Sequence, residues 1–140
     1  MTMTERDRLL ALAGWAAVFE APDFDIGHWV TSGPDADGVT QVPWFEYSAA
    51  ADAFRAEAAG AEWVVPFDWM AWVASPEGRR LIADHGLVAH ATSADLSKLL
   101  TAIIRGDRFS EGELAGAYES GMLGAIVQRA AELAKAGGAG

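Results

Sequence analysis

A chain of 140 residues that is 51% hydrophobic can bury a core of its own, and with no cysteine it has no disulfide, cysteine–zinc site, iron–sulfur cluster or thiol nucleophile. The formal charge of −10 is uneven: residues 1–70 carry 12 Asp/Glu against 3 Lys/Arg, and residues 71–140 carry 8 against 7. An acidic half repels a phosphate backbone, which disfavours nucleic acid as a partner. No apolar run reads as a signal core or a membrane span, so a cytoplasmic protein with no membrane association is expected.

In chain order, the first helix is expected from Glu5 to Glu20, with Thr4 as its cap and Leu9, Leu12, Trp15, Ala16 and Phe19 on one apolar face. Ala21-Pro-Asp23 breaks it. Ile26–Thr31 and Val39–Val42 then predict a β-hairpin with a wide polar loop. The loop segment Asp35-Ala-Asp-Gly38 hints at a calcium loop, but with Gly38 at position 6 the bidentate glutamate of position 12 would be Trp44. It reads as turn chemistry.

Ser48 caps a helix over about 49–59, with Ala51, Phe54, Arg55 and Ala58 on or beside its buried face and Gly60 as its stop. Glu62–Pro66 is extended. Asp68 caps a short turn, Trp69–Ala74, and Ser75-Pro76-Glu77 opens a further helix in the favoured order, ending at Gly86. Thr92 or Ser93 caps the strongest helix, whose apolar face is Leu96, Leu99, Leu100, Ile103 and Ile104. Ser110-Glu-Gly-Glu113 has the spacing of a capping box. Gly121 divides the last two helices. The expected fold is mainly α (α+β): one domain over 1–140, a compact bundle of five to six helices, a small hairpin near 26–42, and a flexible tail at about 136–140.

The densest chemistry is Arg105-Gly-Asp-Arg-Phe-Ser-Glu-Gly112. Two guanidiniums beside two carboxylates could clamp an anion and move a proton. They could equally be a corner lock, with Arg105 at a helix C-terminus and Glu111 near the next N-terminus. Six tryptophans are many for this length. Trp29, Trp44, Trp63, Trp69 and Trp72 do not fit one helical face. Core packing is the default for most, with some lining a groove. Glu46, between Phe45 and Tyr47, is a carboxylate in an aromatic setting. His28, His85 and His90 have no metal spacing, and the familiar hydrolase, kinase and dehydrogenase motifs are missing. No metal and no cofactor are expected.

Leu99-Leu-Thr-Ala-Ile-Ile-Arg-Gly-Asp-Arg-Phe-Ser-Glu-Gly-Glu-Leu114, with Ala117, Gly121 and Ala125-Ile-Val-Gln-Arg129, resembles an uncharacterised bacterial family, domain of unknown function 6508. Val42-Pro-Trp-Phe-Glu-Tyr-Ser48 and Phe67-Asp-Trp69 extend the resemblance. It implies no activity. It implies that Arg105, Asp107, Arg108, Phe109, Glu111 and Gly112 belong together, with Glu46, Tyr47, Asp68 and Trp69 beside them. Such relatives often carry a histidine just before the arginine pair. Ile103-Ile104 stands there in this chain, which weakens any mechanism needing a base at that point.

The first functional expectation is a small protein-interaction or ligand-binding domain without catalysis, its partner another protein or a second copy. The alternative is an enzyme or a binder of a small anion, phosphate or carboxylate, using the Arg105–Glu111 cluster. An acidic inhibitor of the antitoxin or immunity type ranks third.

Overall fold

The structure is a computed structural model that describes residues 3–31, 33–34, 36–39 and 42–138. It is mainly helical, with one two-stranded antiparallel sheet among the described residues. The expected mainly α class with a small hairpin is therefore what forms, with eight α-helices among the described residues.

The N-terminal helix divides at Gly14 into α1 (Glu5–Ala13) and α2 (Trp15–Glu20). Thr4 accepts from the Asp7 N–H, and the Asp7 carboxylate accepts from the Thr4 N–H, so the cap is reciprocal. Trp15 and Phe19, one turn apart on α2, both pack on Phe54, with ring centroids 5.3 and 5.2 Å away.

Strand β1 (Gly27–Val30) pairs with β2 (Trp44–Tyr47), in the register Gly27 with Tyr47 and Val30 with Trp44. Of the second strand expected at Val39–Val42, Thr40 and Gln41 lie outside the described residues; Val39 and Val42 are outside any strand and 59% and 84% exposed, and the partner of β1 lies further on, in β2. In β2, by contrast, Phe45 is buried and Tyr47 half-buried, while Trp44 and Glu46 face out. Of the turn expected at 35–38, Asp35 lies outside the described residues.

Helix α3 (Ala49–Gly60) is capped by Ser48. Its end differs from expectation, because Gly60 is still helical and the left-handed residue is Glu62, at φ 65°. Glu62 N–H donates to Ala59 O and Trp63 N–H to Ala58 O, which closes a Schellman motif around a glutamate. Arg8 holds that turn from outside, donating to the carbonyls of Ala61 (3.1 Å) and Glu62 (3.0 Å). A side chain in this conformation is strained, so Glu62→Gly is expected to raise stability by up to about 1 kcal/mol, less the entropy that glycine adds to the unfolded chain. A lower melting temperature in the variant would refute it.

Residues 63–67 form no regular element, bend at Val64 and Phe67, and are tied to α6 (Ser93–Gly106). Ser97 and Thr101 donate to the Trp63 carbonyl, and Val65 N–H donates to the Thr101 hydroxyl at 3.0 Å. Asp68 caps α4 (Trp69–Ala74) and Ser75 caps α5 (Pro76–Ala83). Helix α5 stops before the expected Gly86, because Asp84 turns extended and accepts from Gly86 N–H, opening a 3-10 segment, His85–His90. Thr92 is the cap of α6, in a reciprocal pair with Asp95. Helix α7 (Glu113–Glu119) and α8 (Met122–Gly138) follow.

The core lies between α6 and α8. Leu96, Leu99 and Leu100 meet Leu123, Ile126, Val127 and Ala130, all 1% exposed or less. Helix α8 also packs on α1, α2, α7 and the 3-10 segment. No described helix is long and apolar enough to cross a membrane.

Candidate functional site

The corner between α6 and α7 is built around Asp107. Tyr47 OH donates to its Oδ1, Leu114 N–H donates to the same oxygen at 3.2 Å, and Arg55 Nη2 lies 3.4 Å from Oδ2. Tyr47 OH in turn accepts from Ala115 N–H at 3.3 Å. The first turn of α7 is thus capped by an aspartate before it and a tyrosine from β2. The expected capping box at Ser110 does not form: the N-cap is Gly112, in the left-handed region at φ 81°, with no side-chain bond of its own. Ser110 contributes only its carbonyl, which accepts from Glu113 N–H.

The glycine is needed for a second reason. A Cβ at 112 would lie 2.8 Å from Trp29 Cζ2, so the Trp29 ring seats on bare backbone. Glu111 completes the joint by accepting from Phe45 N–H at 2.8 Å. That amide is on the outer edge of β2, so the carboxylate closes an otherwise open strand edge. The Arg55 guanidinium lies 4.7 Å over the Tyr47 ring. Burial first, and then the bond to Asp107, push the Tyr47 phenol well above its ordinary range.

The other expected residues fall in different places. Arg108 is exposed. Arg105 is half-buried, and its Nε is buried with no hydrogen-bond partner among the described residues. Glu46 is exposed, 3.8 Å from His28. The Asp68 carboxylate accepts from Ala71 N–H as a helix cap. Phe109 is 73% exposed and leans on Trp69, with ring centroids 6.1 Å apart. So Tyr47, Asp107 and Glu111 come together, Trp69 and Phe109 form a second group, and Glu46 and Asp68 join neither.

Trp69 leads to a feature that the sequence reading did not assemble. A cleft of about 490 Å³ opens beside it, lined by Val73, Ile82, His85, Leu99, Ala102, Ile103, Glu113, Gly116, Ala117, Ser120 and Met122. Its walls come from α4, α5, α6, α7 and the start of α8, so no local pattern reveals it. One sequence trace existed: Ile82 is apolar yet neighbours the buried Leu81, and it emerges 40% exposed. The tryptophans divide as expected of a mixed set. Trp63 and Trp72 are core, Trp69 is groove wall, and Trp29 and Trp44 are 52% and 41% exposed on the hairpin. Among the described residues, no group of three or more acids and histidines is placed to hold a metal ion.

No curated protein and no solved structure matches the chain. Residues 4–136, which include the hairpin, the Asp107 corner and the cleft, match the family of unknown function DUF6508, and the chain belongs to that family.

Proposed function

We propose that the protein is a single-domain cytoplasmic binding module without catalysis, and that its ligand site is the cleft beside Trp69. The observation that carries this is the lining. A concavity of about 490 Å³ is walled mainly by apolar side chains, with polar ones from His85, Glu113 and Ser120 alone. A mostly apolar pocket with a few polar groups is the usual form of a small-molecule site. The Arg105–Glu111 cluster serves a binding or catalytic reading less well, because its carboxylates are engaged. Asp107 accepts from Tyr47 and Leu114, and Glu111 accepts from Phe45.

Gly116 gives a clean test. It lines the cleft, and a Cβ added there meets no atom within 4 Å. Gly116→Leu should fill the cleft without strain and improve the helix. The neutral dye Nile red is expected to brighten and shift to the blue with the wild-type protein, and to bind Gly116→Leu at least about tenfold more weakly, the order expected when a buried apolar contact is lost. Equal binding by both proteins, or none by either, would remove the cleft as the ligand site.

A further inference from the structure

We infer that the cleft takes an apolar organic cation, a molecule with a hydrocarbon body and a protonated amine at one end. The inference rests on the cleft being the ligand site, and it adds the chemical class. Glu113 is the one carboxylate in the lining, and no lysine or arginine is among the residues there. Its placement is specific. The side chain folds back from the first turn of α7 over the end of α6, where a Cβ at Gly106 would stand 3.4 Å from Glu113 Cδ and 3.5 Å from Oε1. Bare backbone at 106 gives the carboxylate its place at the rim.

That carboxylate also has no ion pair or side-chain hydrogen bond among the described residues, in contrast to Asp107 and Glu111. Exposed and unpaired, it is open to a cation that a ligand brings. Trp69 supplies the second element of amine recognition, an indole in the lining of the same cleft. Leu99, Ala102, Ile103 and Met122 offer the apolar surface for the hydrocarbon end.

The test is a matched series: octylammonium, 1-octanol and octanoate, each titrated into the wild-type protein and into Glu113→Gln and followed by amide chemical shifts. Octylammonium is expected to bind about five- to tenfold more tightly than octanol, with octanoate weakest, the size expected of one exposed ion pair and one cation–aromatic contact. In Glu113→Gln the preference for octylammonium over octanol is expected to shrink to the about two- to threefold that the aromatic contact alone supports, while octanol is unchanged. Glu113 is exposed, so the variant should keep the fold, as the rest of its amide spectrum will show. Equal binding of octanol and octylammonium by the wild-type protein, or a preference undiminished in Glu113→Gln, overturns the cation inference and leaves an apolar site. Binding of none of the three overturns both. Tightest binding by octanoate overturns the inference in favour of an anion site.

Discussion

Trp63→Ala is expected to cost about 3–5 kcal/mol of folding stability, read as a lower urea midpoint with an unchanged slope. The indole is fully buried and fixes three parts of the chain at once. Its Nε1 donates to the Arg8 carbonyl at 2.8 Å, while the Arg8 guanidinium lies 4.3 Å above the ring and reaches on to the Ala61 and Glu62 carbonyls. The Trp63 carbonyl accepts from Ser97 (2.9 Å) and Thr101 (3.2 Å), tying the same residue to α6. Truncation leaves a large void and removes the hydrogen bond that ties this segment to the Arg8 carbonyl of α1. Trp63→Phe separates the two, since it keeps most of the volume and loses the donor, and about 1–2 kcal/mol is expected for it. A loss under about 1 kcal/mol for the alanine variant would show that α1, α3 and α6 are held by other means.

Asp107→Ala is expected to cost about 2–4 kcal/mol, because it removes the acceptor for Tyr47 OH and for the first turn of α7 together. Asp107→Asn keeps an acceptor and should lose less. Tyr47→Phe should lose part of the same energy, so the double variant should fall short of the sum. A fully additive double variant would mean that the two side chains do not act as one unit. The pair also makes a pH prediction. The phenol value is raised in the folded state, so the neutral form is the one stabilised. Its contribution is complete below the unfolded value near 10 and is lost as pH rises past it. Between pH 8 and pH 11 the wild-type urea midpoint should fall more steeply than that of Tyr47→Phe. Parallel curves would contradict the assignment.

The features legible in the sequence were those whose cause is local. Thr4, Ser48, Asp68, Ser75 and Thr92 each cap a helix because the accepting oxygen and the orphan amide are three residues apart. The apolar stripe of α6 is likewise a matter of spacing. Where sequence reasoning fell short, the deciding partner is distant. Ser110 satisfies every local rule for a cap, but the helix opens two residues later, where Asp107 and Tyr47 take the Leu114 and Ala115 amides and Gly112 is held left-handed under Trp29. Valines 39 and 42 have strand propensity, but Phe45 and Tyr47 have a core to face. Arg55, read as a residue on or beside a helix face, is the cation of the Asp107 corner, 52 residues away in sequence. The cleft needs five helices in place before it exists at all.

That shared cap has a consequence for the order of assembly. The amides of Leu114 and Ala115 find their acceptors in residues 7 and 68 positions away. A seven-residue helix is too short to persist alone, and this one cannot close its first turn until the hairpin arrives. Docking of β2 and formation of α7 are therefore one cooperative event. Hydrogen exchange at those two amides should report the opening of the hairpin, with a protection free energy equal to that of Phe45 N–H on the opposite side of the joint.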